Sequence, residues 1–170
     1  MASTPNLVER ALDRAHIDLS PPHRQPEWWR MALATVLSVL LSLAADAALV
    51  AIGTRVFPST KGYVHFEFHD YARLTVVGVV IACMAWPIVT RVCTKPRWLF
   101  LRLAVLVTLV LLLPDLYIWL KGQPAKAVLV LVCMHLAVAL ITYNLLVHLA
   151  PVREAVLGRQ ARASSTSGAA

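Results

Sequence analysis

MALATVLSVLLSLAADAALVAIGTRVF, residues 31–57, is apolar for almost its whole length, interrupted in its interior by a single acid, Asp46. A stretch of this kind exceeds the ~20 residues that a helix needs to cross a hydrocarbon core about 30 Å thick. About thirty mostly polar residues precede it and it is too long for a signal-peptide core, so it reads as a span rather than a cleaved leader. Three further runs of the same character follow, at 71–92, 98–120 and 125–150. Lipid offers the backbone no hydrogen-bond partners, so each run is expected to be a helix.

The rest of the composition agrees. Of 170 residues, 59% are hydrophobic and 15% charged, and the mean hydropathy is +0.68. Soluble domains carry about one quarter charged residues. The net charge of +7 is scattered rather than gathered on a face, and no nucleic-acid-binding motif accompanies it, which argues against nucleic acid as a partner. Its distribution fits a topology instead. Eleven basic residues fall on one side: Arg10, Arg14, Arg24, Arg30, Arg91, Lys95, Arg97, Arg102, Arg153, Arg159 and Arg162. Five fall on the other: Arg55, Lys61, Arg73, Lys121 and Lys126. The positive-inside rule then places both termini in the cytoplasm.

The expected fold is an all-α membrane protein, a four-helix transmembrane bundle with an N-terminal amphipathic helix. Residues 1–27 read as a cytoplasmic arm and proline-rich linker, 28–150 as the four-span domain, and 151–170 as a disordered cytoplasmic tail. In the arm, Thr4 is a candidate N-cap and Pro5 suits the first helical position. Leu7, Val8, Leu12, Ala15 and Leu19 then share one face, as in a helix lying on the inner leaflet.

Membrane helices meet through small residues and hydrogen bonds. Span one offers Ser38, Ser42 and Asp46; span two offers Thr75, Gly78, Ala82 and Ala85. Span three offers Ala104, Thr108 and Asp115, and span four His135, Ala139 and Thr142. At ~1.5 Å per residue, Asp46 and His135 come to similar depths outward of the midplane, so their proximity is expected. Arg73 enters span two near the level of Asp115, which suggests a second pair. An ionisable side chain inside a membrane is a functional-site candidate. Asp46, His135, Asp115, Arg73 and Ser42 are therefore the intramembrane polar set.

The polar passage VHFEFHDYAR, residues 64–73, raises a metal reading. In an extended segment His65, Glu67 and His69 would line one face. The zinc-protease pattern needs its glutamate directly after the first histidine, where Phe66 stands. An interfacial loop with polar residues facing water is the competing reading. Cys83, Cys93 and Cys133 form no CxxC pair and read as buried thiols. His135 and His148 lack partner histidines on a second span, so bis-histidine haem ligation is not expected. No catalytic residue set and no cofactor is expected from the motifs.

HDYARLTVVGVVIACMAWPIVTR and VCMHLAVALI resemble small four-span membrane proteins of actinobacteria, a domain of unknown function. The likeness spans residues 30–150 and rests on span order, an Asp-x-x-Arg entry to span two and a Met-His in span four. It implies a bacterial plasma-membrane protein with this fold and brings no activity with it. The functional expectation is a non-catalytic accessory or assembly subunit, bound to other membrane subunits or to itself as a homo-oligomer. The alternatives are a proton-linked or small-solute transporter using Asp46, His135 and Asp115, and an outer-face metal-binding protein.

Overall fold

A computed structural model describes residues 23–93 and 95–154. Four helices account for most of them: α1 (Trp28–Val56), α2 (Phe68–Val92), α3 (Pro96–Leu120) and α4 (Ala125–Leu149). Each is long and apolar enough to cross a membrane. At 1.5 Å per residue, a 25-residue helix reaches about 37 Å, more than the hydrocarbon core requires. The first three helices begin two or three residues before the expected spans, because interfacial residues such as Trp28, Trp29 and Phe68 already join the helix. The proposed amphipathic helix at 4–19 lies outside the described residues, as does most of the tail.

α2 and α3 run unbroken across Pro87 and Pro114. Two 3₁₀ turns, Pro58–Thr60 and Val64–Phe66, join α1 to α2. Gly122, at φ +89°, turns the chain after α3 in a conformation that only glycine adopts without strain.

At the opposite face, strand β1 (His23–Arg24) pairs antiparallel with β2 (Arg153–Glu154), His23 opposite Glu154. The sequence assigns these residues to a linker and a tail, but backbone pairing ties the two together. The described chain ends therefore share one face, as four crossings require.

α1 packs most extensively on α4, and then α3 on α4 and α2 on α1. One stripe on α1, Ala34, Ser38, Ser42, Asp46 and Gly53, is wholly or almost wholly buried. Small side chains there let the backbones approach closely. On α2 the buried residues are Tyr71, Val79, Cys83, Trp86, Val89 and Thr90. Gly78 is exposed, while Thr75, Ala82 and Ala85 are half-buried. The small-residue face expected of span two is thus rotated to the edge of the interface, and bulkier side chains fill the hollow over the small stripe of α1.

Two apolar clusters result. One sits near the chain ends around Trp86, Phe100 and Leu146. The other sits under the loops around Phe66, Tyr71, Val130 and Met134. The buried polar residues lie mainly between them.

Candidate functional site

The intramembrane polar residues come from all four helices. Asp46 is fully buried on α1 and accepts a 2.7 Å hydrogen bond at Oδ2 from the Thr75 hydroxyl of α2. Its Oδ1 has no hydrogen-bond partner among the described residues. Asp115, buried on α3, lies with Oδ2 3.1 Å from His135 Nδ1 of α4.

That nitrogen is also 3.0 Å from the Leu131 carbonyl oxygen, one turn back on its own helix. A carbonyl oxygen only accepts, so Nδ1 carries a hydrogen. One N–H cannot align with two acceptors at once. The carbonyl takes it, and the Asp115 contact is chiefly electrostatic.

Asp46 and His135 lie within electrostatic reach of each other, as their matching depths suggest, but each makes its direct contact elsewhere. His135 meets Asp115, and Asp46 is held by Thr75. Arg73 is exposed and does not reach Asp115. Thr75 carried a signal as a small polar residue of span two, but nothing in the sequence linked it to Asp46.

At the loop face, the Tyr63 hydroxyl is buried and has no hydrogen-bond partner among the described residues. Burial, and after it the charge of Asp115, pushes the Tyr63 phenol above its ordinary value. It therefore remains a neutral O–H donor at physiological pH. The Tyr63 and His65 rings meet edge to face, their centroids 5.3 Å apart. Tyr63 and His65 thus stand at the loop-face end of a polar seam that runs through Asp115 and His135 to Asp46.

The residues of the metal reading are not gathered. His65 lies in a 3₁₀ turn, Glu67 precedes α2, and His69 is already helical. The break between turn and helix removes the common face that an extended segment would give them. Among the described residues, no group of three or more His, Cys, Asp or Glu side chains is placed to hold a metal ion. Of the cysteines, Cys83 and Cys93 are buried and Cys133 is exposed.

Thr75→Val tests the clamp on Asp46. The substitution keeps the volume but removes the donor, leaving a buried carboxyl group without a partner. It is expected to cost about 1 kcal/mol or slightly more, read as a lower unfolding midpoint in detergent. Thr75→Ser keeps the hydroxyl and is expected to stay near the parent.

Among known proteins, the model of a family of unknown function, DUF6069, matches residues 22–151. No curated protein and no solved structure matches.

Proposed function

The chain belongs to the DUF6069 family of unknown function, and from its own geometry we propose a proton-linked carrier for protons or a small polar solute. In this reading it is a bacterial plasma-membrane protein with both ends in the cytoplasm. The excess of basic residues on the terminal face supports that orientation. Asp46, His135 and Asp115 carry the proton chemistry.

The contact between Asp115 and His135 carries the reading. With Nδ1–H held by the Leu131 carbonyl, the pair can exist as two neutral groups, the proton on Asp115, or as an ion pair, the proton on His135 Nε2, with no net charge either way. Passing a proton through such a pair leaves little uncompensated charge in a medium where isolated charge is costly. The seam around the pair adds support. Each buried polar group without a partner costs about 1–3 kcal/mol, and apolar residues would fill a purely structural core more cheaply. Tyr63 and His65 give the pair a polar approach from the loop face.

Reconstitution in liposomes tests the proposal. Under an imposed pH gradient, the parent protein is expected to carry protons. Asp115→Asn and His135→Gln are each expected to lower that flux by roughly tenfold or more, in line with the loss of a positioned proton-transfer group. Flux unchanged in both variants overturns the reading.

A second reading, an accessory or assembly subunit, draws on α3. Only 11% of its apolar window is buried within the chain, which leaves most of that helix for lipid or for another subunit. A stoichiometric membrane partner retained through purification, together with absent flux, would select this reading.

A further inference from the structure

The register of α1 against α4 is set by Gly53, where an added Cβ would lie 2.6 Å from Val130 Cγ2. Counting from that contact at ~1.5 Å per residue, Thr142 on α4 stands level with Ser42 on α1 to within about 2 Å. Asp46 is one turn outward on the Ser42 face. Ser42 and Asp46 are 0% exposed and Thr142 is 4% exposed.

Threonine and serine hydroxyls in a helix commonly bond the carbonyl one turn back. Thr35, Thr54 and Thr108 do so here, each at 2.8 Å. Ser42 and Thr142 do not: Ser42 Oγ and Thr142 Oγ1, like Asp46 Oδ1, are buried without a hydrogen-bond partner among the described residues. Thr75 occupies the other carboxylate oxygen and so fixes the orientation of the group. Three uncommitted oxygens, one of them acidic, thus come from two facing helices.

We propose that Ser42, Asp46 and Thr142 bind a sodium-sized monovalent cation in the middle of the bundle. Carboxylate and hydroxyl oxygens suit hard cations. One carboxylate balances one positive charge, whereas a divalent ion would leave net charge buried in a dry interior. Arginines and lysines stand toward the ends of the helices or in the loops, so none competes at this depth. Enclosure on every side favours a small, dehydrated ion. The site does not rest on the carrier reading, since binding at Asp46 requires no flux.

The test uses the full chain in detergent, with thermal unfolding followed in sodium, potassium and choline chlorides at equal ionic strength. Sodium is expected to raise the midpoint of the parent above the other two, by an increment that grows with concentration as site binding requires. Asp46→Asn and Ser42→Ala are expected to lose that increment. If Asp46→Asn does not fold, Thr142→Val serves for the same comparison. Equal midpoints in the three salts, or a sodium increment that survives in these variants, overturns the site. Absent proton flux with the increment intact would sink the carrier and leave the site standing.

Discussion

Trp86→Ala is expected to lower the unfolding free energy by about 3–4 kcal/mol, near the lower end of the range for removing a buried large aromatic side chain. Trp86 is 0% exposed and packs edge to face on Phe100, with centroids 4.9 Å apart. Phe100 in turn stacks on Tyr143 of α4, at 5.9 Å. Lipid is as apolar as the core, so ring transfer contributes less than it would in water. The cavity and the lost dispersion contacts remain. Trp86 Nε1 also donates to the Ala150 carbonyl oxygen at 2.9 Å, satisfying a backbone acceptor where α4 ends and its last carbonyls lack helical partners. Trp86→Phe keeps most of the ring and removes only the donor, so about 1–2 kcal/mol is expected. Denaturant or thermal unfolding in detergent should rank Ala below Phe below parent. Equal losses for the two variants would show that the ring itself contributes nothing.

Gly53→Val is expected to cost about 3 kcal/mol, at the upper end of ordinary overpacking. A Cβ at Gly53 would lie 2.6 Å from Val130 Cγ2 and 3.3 Å from Cγ1. The valine cannot easily rotate away, because a β-branched side chain in a helix is held to one χ1 well. α1 and α4, the most extensively packed pair, must then separate. Gly53→Ala should show the same sign with a smaller loss, since alanine regains up to about 1 kcal/mol of helix propensity. Val130→Ala in the Gly53→Ala background removes the clashing methyls and should restore much of the midpoint. No recovery in that double variant would mean that the contact does not set the spacing.

The terminal-face contacts explain why the ends of the bundle stay together. The Thr90 hydroxyl lies 3.0 Å from Gln25 Oε1 and 2.9 Å from the Pro87 carbonyl oxygen, beside the β1–β2 pair. Arg102 covers the Trp98 ring at 3.5 Å, a contact suited to an interface where one side chain stays charged and the other is half-immersed.

The spans and the buried stripe of α1 were legible without coordinates. A bilayer demands long apolar helices, and Ser38, Ser42 and Asp46 repeat every four residues on one face. Depth along each helix also follows from counting, which is why Asp46, His135, Asp115 and Thr142 were all recognisable as intramembrane groups. Which of them meet was not legible. Depth places Asp46 and His135 at one level but is blind to rotation about the helix axis. Packing turns His135 toward α3 and presents Thr75 to Asp46.

The face of α2 shows the same division. Small residues permit close approach, yet α1 already supplies them, so complementary packing calls for volume from α2 and buries Val79, Cys83 and Trp86. The 64–73 passage was open between an extended metal-binding segment and an interfacial loop because its composition suits both. A helix starting at Phe68 separates His65 from His69.

The chain's own pattern thus determined the solvent, the number of crossings and the depth of each polar group, because these depend on counting apolar residues along one dimension. Helix rotation and partner choice belong to the tertiary structure alone. They arise from the mutual fit of four surfaces, in which the placement of Gly53, Val130 and Trp86 decides what every neighbouring side chain can reach.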